Sequence, residues 1–389
     1  MDNLQYLDSV FQQLHQHPEV SLGEQWTAQF IATELRKFGF TVMTEVGGTG
    51  VVGVLNFRHN GPVLALRSDM DALPVQEKTG VSYASQNPGV MHACGHDSHM
   101  AITLGACAYA AQHRDALRGT LLVIFQPAEE IVVGALAMLK EGILSTYQPD
   151  RLVGIHNWPK LPAGSIGLQK GPITAFSDRF KVTFRGQGGH GAFPHTTKDA
   201  IAMATAAVQG AFSLTRRQTD ALHPQVLSFG IIQGGTSFNV IPETVVVEGT
   251  VRTLHLADQD LMINLLHQAF SSGASLYGGS YELDYQRGVP AVVNDPVVVE
   301  ELRGFFTDQL PDTAVVTEGL ASLIGEDVAY FLQAVPGVLL YIGSGQEGAI
   351  NELHNPRFLV PRQTLRAGYG ALVSVLNGYL GQLEGRKEL

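Results

Sequence analysis

Three times in the first 160 residues an apolar, β-prone run ends abruptly on residues that bind metals or move protons. Pro62–Arg67 runs into Ser68-Asp69-Met70-Asp71. Thr120-Leu121-Leu122-Val123-Ile124-Phe125 ends in Gln126-Pro127-Ala128-Glu129-Glu130, and Arg151-Leu152-Val153-Gly154-Ile155 ends in His156-Asn157. Helical patterns at about 98–114 and 133–144 separate the three. Strands alternating with helices predict an α/β sheet of the doubly wound kind, whose strand carboxyl ends converge on one crevice. Acids, paired glutamates and a histidine would then share one site. Consecutive glutamates leaving a strand point in different directions, so one can bind a metal while its neighbour faces substrate.

Between the first two of these runs lies Met91-His92-Ala93-Cys94-Gly95-His96-Asp97-Ser98-His99, with one of the two cysteines and three of the fourteen histidines. On a tight loop, Cys94 and His96 can reach one metal centre, and thiolate with imidazole suits zinc and neighbouring transition ions. The other cysteine, Cys107, sits in an apolar helical run and reads as an ordinary buried thiol.

The remainder of the first half is helix and strand. Residues 4–18 and 25–38 have helical periodicity, broken at Pro18 in His15-Gln16-His17-Pro18-Glu19, where the histidines read as polar residues of a helix end. Short strands follow at Phe40–Glu45 and Gly50–Phe57. From Asp178 the pattern is strand, helix, strand, strand, helix, strand, the β-α-β-β-α-β order of a ferredoxin-like unit inserted in the chain. Helices at 297–310 and 327–333, a strand at Gly337–Gly343 and a last helix at about 362–383 then fit a return to the first sheet. His354, on the loop before that helix, can come back with it to the crevice.

Gly186-Gln187-Gly188-Gly189-His190-Gly191 has dinucleotide-loop spacing, but no acid ends a following parallel strand, so the glycines read instead as a tight turn presenting His190. A length of 389 residues and 45% apolar composition suit two globular domains. The formal charge of −11 argues against nucleic acid and anionic membranes as partners. The first residues lack a secretory pattern, and a cytoplasmic location is expected.

Taken together, these segments resemble the dinuclear-metal amidohydrolases that include hippuricase, aminoacylases, N-acyl-amino-acid hydrolases and plant auxin-conjugate hydrolases. The likeness runs from Leu14-His15-Gln16-His17-Pro18-Glu19 through Asp69-Met70-Asp71-Ala72-Leu73-Pro74, His92-Ala93-Cys94-Gly95-His96-Asp97 and Ala128-Glu129-Glu130. It continues through His156-Asn157, Gly188-Gly189-His190, Phe238-Asn239-Val240-Ile241-Pro242 and Leu353-His354-Asn355-Pro356. It implies a discontinuous catalytic domain with a mixed sheet flanked by helices, at 1–174 and 288–389. A ferredoxin-like α+β lid at 175–287 would lie between, able to form a homodimer.

By the same resemblance, two divalent ions, zinc or manganese with cobalt or nickel also admitted, would be held by Cys94, His96, Glu130, His156 and His354. Cys94 would bridge them and Glu129 would be the general base. Asp71 would orient a ligand imidazole, with Asp69 an open alternative. His190 would reach the substrate carbonyl, from its own or a partner subunit. Asn239 and Arg252 would hold the substrate carboxylate. The implied activity is hydrolysis of small N-acyl-amino acids. Rival readings are a dipeptidase or carboxypeptidase, a deacylase of a biosynthetic intermediate, or a metal-binding protein without catalysis. Relatives often carry Gly-Ala-Glu-Asp-Phe where this chain has Leu323-Ile324-Gly325-Glu326-Asp327-Val328, which leaves the acyl preference open.

Overall fold

The computed structural model describes residues 3–348 and 352–381. The chain divides into two compact units, one of residues 1–171, 292–320 and 327–389, the other of Pro172–Ala291 with Ala321–Glu326.

The first unit is built on an eight-stranded sheet. Its centre is β4 (Thr120–Gln126), β3 (Val63–Asp69), β5 (Arg151–Pro162) and the strand Gly337–Gly345, all parallel. On one side β2 (Gly50–Asn56) joins β4 antiparallel, and β1 (Thr41–Val46) joins β2 antiparallel. On the other, Ile166–Gly167 runs antiparallel to Gly337–Gly345 and is followed by Val315–Val316. The sheet is therefore mixed, parallel through its four central strands and again at one edge, where Val315–Val316 pairs parallel with Ile166–Gly167.

Central strands are covered on both faces, which explains their continuous apolar runs in place of an alternating pattern. Helix α1 (Asn3–Gln16) and the helix Arg362–Leu380 pack against α3 (His96–Gln112), while α2 (Gln25–Lys37) lies against β1 and β2. Almost every residue of α3 is buried, so it needs no polar face. One expected helix, 133–144, is two: Gly134–Lys140 and Ile143–Tyr147, with Gly142 at φ +78° breaking the run. The final helix ends at Leu380, and the expected positions 382 and 383 lie outside the described residues.

The second unit is a four-stranded antiparallel sheet in the order Gln225–Gly234, Thr244–Thr253, Phe176–Arg185, Ser280–Val289. Helices Ala200–Gln218 and Leu256–Leu276 complete the ferredoxin-like succession, with Phe180, Phe184, Met203 and Phe270 in its core. Asp199 caps the first helix by accepting from the amides of Ile201 and Ala202. The segment Ala321–Glu326 is tied in by Ser322 N to Ile173 O and Ala175 N to Ile324 O, both 2.9 Å. Among the described residues, no helix is long and apolar enough to cross a membrane.

Phe270 is fully buried between the rings of Phe180, Phe184 and Tyr281. Phe270→Ala is expected to destabilise the second unit by about 3–5 kcal/mol, the usual cost of emptying such a site, as read by urea denaturation.

Candidate metal centre

Two strand ends, the middle of a third strand that runs on past the expected end at His156, a helix start and the loop of His354 deliver the donors of the first unit. Asp69 and Asp71 leave β3, Glu129 and Glu130 leave β4, and His156 lies within β5. Cys94 and His96 flank the N-terminus of α3. Gly95 caps that helix at φ +85°, and a Cβ there would stand 2.2 Å from Asn157 Nδ2. Only glycine fits this turn, and the turn sets Cys94 and His96 on either side of it.

Their ligand atoms crowd together. Cys94 Sγ is 3.6 Å from His156 Nε2, His96 Nε2 is 3.9 Å from Glu130 Oε1, and His354 Nε2 is 3.4 Å from Glu130 Oε2. Three overlapping sets of donors form: Cys94/His96/His156, Cys94/Glu130/His354 and His96/Glu129/Glu130. His96 Nε2 and Glu130 Oε1 are buried without hydrogen-bond partners. Buried polar atoms are normally satisfied, so orphaned atoms converging with a thiol and two further imidazoles are what a cation site provides. The donor set fits divalent ions.

Protonation supports the fit. Burial, then the neighbouring His99, hold His156 down at about 3, so the imidazole is neutral with Nδ1 donating to Asn157 O at 2.7 Å. Its Nε2 lone pair faces Cys94 Sγ at 3.6 Å. His96 Nδ1 donates to the backbone oxygen of Asp71 at 2.9 Å and lies 3.3 Å from Asp71 Oδ1, which orients Nε2 toward the cluster. Burial pushes the Cys94 thiol up, so its thiolate needs a positive partner. His354 sits on its loop at φ +64°, with its amide donating to Ala93 O at 2.8 Å.

The two aspartates divide. Asp71 Oδ2 accepts from Ser21 Oγ and from the amide of Glu130, tying a ligand's backbone to the residue that orients His96. Asp69 instead accepts from Arg67 and His99. His99 Nε2 accepts from Asn157 N, so both of its nitrogens are engaged and it has none left for a metal. Glu129, 7% exposed, follows Ala128, whose φ of +51° turns the chain sharply out of β4. The fully buried Glu24 holds that turn, accepting from Ala128 N at 2.9 Å and from Thr49 Oγ1.

In the second unit His190 and Asn239 lie on paired segments. His190 is opposite Val240, Gly191 N donates to Asn239 O, and Ser237 Oγ donates to Asn239 Oδ1. Arg252 lies on Thr244–Thr253, opposite Ser177, and burial lowers its pKa. The glycines before His190 permit close passage: a Cβ at Gly186 would stand 1.9 Å from Lys198 O.

Sequence reading passed over His15. It is no polar helix end but is buried, with Nδ1 2.6 Å from Asp97 and Nε2 3.3 Å from Glu77. The signal was an i, i+4 position on the apolar face of α1, one turn after Phe11.

The profile of peptidase family M20/M25/M40 matches residues 65–378. The chain belongs to that family. Among M20 relatives it is 36% identical over 369 residues to the N-acetyl-L-cysteine deacetylase of Bacillus subtilis, covering 93% of this chain and 86% of that protein. It is equally 36% identical over 369 residues to thermostable carboxypeptidase 2 of Saccharolobus solfataricus, covering 93% and 92%. Among solved structures, the Bacillus subtilis YXEP protein, a dinuclear metal binding peptidase from the M20 family, superposes with a TM-score of 0.84 at 33% identity, covering 96% and 99%. This M20 chain is a hydrolase with an α/β catalytic fold and the donor clusters of a metal centre.

Two outcomes are expected from this geometry. Glu24→Ala leaves the Ala128 amide and the Thr49 hydroxyl without their acceptor. It should cost about 1–3 kcal/mol in urea unfolding and lower the turnover number, with the bound-metal count unchanged.

The second concerns pH. Burial opposes the charge on His15, but hydrogen bonds to Asp97 and Glu77 raise it from 6.5 to about 9. Glu77, against the same penalty, is lowered from 4.5 to about 2 by His15 and its other donors. The His15 contribution is complete below about pH 6.5 and is lost as pH rises through about 9. That of Glu77 is complete above about pH 4.5 and is lost as pH falls through about 2. The stability difference between wild type and His15→Gln should therefore shrink when urea unfolding is moved from about pH 6 to about pH 10.

Proposed function

We propose that this chain is a metal-dependent amidohydrolase that cleaves N-acyl-amino acids to a carboxylic acid and a free amino acid. The observation that carries the reading is the placement of Glu129 beside His96 and Glu130 in one donor set, directly after the sharp turn at Ala128. The name of the deacetylase relative supports the substrate class.

In this reading Cys94, His96, Glu130, His156 and His354 would hold two divalent ions, zinc or manganese. When bound, such ions supply Lewis acidity toward the amide carbonyl and make water a stronger acid. Glu129 takes the proton of the attacking water on its carboxylate and delivers it to the leaving nitrogen, so that the amine departs neutral. Asp71 fixes the His96 ring through Nδ1. His190 donates to the carbonyl oxygen as it gains charge, and Arg252 with Asn239 takes the substrate carboxylate.

We assign the second unit the roles of substrate lid and homodimer contact, and the cytoplasm as the working compartment, where Cys94 stays a free thiol. The carboxypeptidase relative favours a second reading, removal of a C-terminal residue from a peptide on the same centre. A panel of hippurate, N-acetyl-amino acids and short peptides separates the two by relative kcat/KM.

Glu129→Gln is expected to keep its metal count, by elemental mass spectrometry, and to lose at least about a hundredfold in kcat on the best substrate. Chelator-stripped wild type should be inactive and regain activity with zinc, manganese or cobalt. Full metal binding with no hydrolysis of any panel member would sink the proposed reaction and favour a binding role.

A further inference from the structure

The second unit holds a donor cluster of its own that the hydrolytic reading does not use. His223 lies in the turn that follows helix Ala200–Gln218, where its amide donates to Asp220 O and the amide of Leu222 donates to Asp220 Oδ1. Pro224 then passes the chain into the strand Gln225–Gly234. His255 occupies the cap position of helix Leu256–Leu276 in an extended conformation, and its side chain caps nothing. Asp258 stands in the first turn of that helix and is 8% exposed.

Their ligand atoms lie within 4.8 Å of one another. The rings of His223 and His255 are tilted at 47°, with centroids 4.5 Å apart. His223 Nδ1 approaches Asp258 Oδ2 to 2.8 Å, yet both atoms are buried without a hydrogen bond in an acceptable direction. An ion pair at that distance ordinarily aligns N–H with a carboxylate lone pair. Here nitrogen and oxygen share a small volume without that alignment. A carboxylate on a side chain only 11% exposed is costly unless something satisfies its oxygens. The helix start favours a negative charge at Asp258 but gives Oδ2 no partner.

We propose that His223, His255 and Asp258 bind a divalent transition ion in the second unit. Two imidazoles and a carboxylate are the donor set of zinc, nickel, cobalt or copper rather than of calcium or magnesium. The His223 side chain is 38% exposed, which leaves an open side for water to complete the coordination. The ion ties the turn after one helix to the first turn of the next, so its binding free energy adds to the stability of the unit. Its role is structural, and none of its ligands belongs to the hydrolytic centre proposed above.

The test uses full-length protein, stripped with chelator and dialysed against zinc. Ions per chain are counted in wild type, in His223→Gln/His255→Gln, in a Cys94→Ser/His156→Ala variant of the other centre, and in the four-fold combination. The expected result is one ion fewer wherever His223 and His255 are replaced, in both backgrounds, with the rate of hydrolysis by the double variant unchanged. The zinc-dependent rise in melting temperature should persist in the Cys94→Ser/His156→Ala protein and vanish in the combination. Asp258→Asn, which alters neither imidazole, should reproduce the loss of one ion and guards against misfolding of the double variant. Equal ion counts with and without the histidines would overturn the site and leave an ordinary His223–Asp258 ion pair. A lost ion accompanied by lost hydrolysis would overturn it as well, because that ion belongs to the Cys94 centre.

Discussion

The guanidinium of Arg67, completely buried at the end of β3, is the contact on which the geometry of the hydrolytic centre depends. It donates to Asp69 Oδ2 at 2.9 Å, to Asp327 Oδ1 at 3.1 Å and, through Nε, to Gln126 Oε1 at the end of β4. Gln126 in turn donates to Asp327, whose second oxygen accepts from the amide of Ala135. From Asp69 the chain of bonds continues through His99 to the amide of Asn157 on β5. Asn157 Nδ2 completes it by donating to Gly95 O and Ser98 Oγ at the start of α3. One cation thereby links β3, β4, β5 and the start of α3, from which most of the candidate metal donors project. Burying such a set costs several kcal/mol per ion in desolvation, so its value lies in register more than in net stability.

That register matters because the donors hold one another only in part, through Cys94 Sγ with His156 Nε2 at 3.6 Å and His354 Nε2 with Glu130 Oε2 at 3.4 Å. His96 Nε2 and Glu130 Oε1 have no hydrogen-bond partner, and burial disfavours the Cys94 thiolate. The surrounding scaffold has to carry the cost of keeping them apart from water and close together. Glu24, Asp71 and Arg67 each do this through hydrogen bonds to a turn or a side chain, leaving the ligand atoms free. A binding centre assembled this way is preorganised, and a metal entering it reorders little.

Much of this was legible in the chain, for identifiable reasons. The central strands are buried on both faces, so their apolar runs stand out and end where the chemistry begins. The ferredoxin-like succession was readable because helix and strand periods differ. What stayed hidden depends on contacts distant in sequence. Asp69 and Asp71 are two residues apart and indistinguishable as letters, and only their partners, Arg67 and His99 against Ser21 and the Glu130 amide, separate them. His15 looked like a helix-end residue because Asp97, its partner, lies 82 positions away. Asp327, in a stretch read as bearing on acyl preference, also proves to be the counter-charge of Arg67 across 260 positions. The His223 cluster escaped for the same reason, since two single histidines and an aspartate in separate segments make no motif.

Backbone strain points to the same place by an independent route. Among the described residues, six other than glycine have positive φ, and three of these, Ala128 at +51°, Val132 at +59° and His354 at +64°, lie on the two loops that carry Glu129, Glu130 and His354. Such conformations cost of order 1 kcal/mol each and persist only where neighbours over-determine them. Here the neighbours are visible: Glu24 accepts from the Ala128 amide, Val132 N donates to Glu129 O, and His354 N donates to Ala93 O beside Cys94. A chain that needed only a stable turn after β4 could relax it with glycine. This one holds an alanine there, and the turn delivers Glu129 and Glu130 together to a donor set shared with His96.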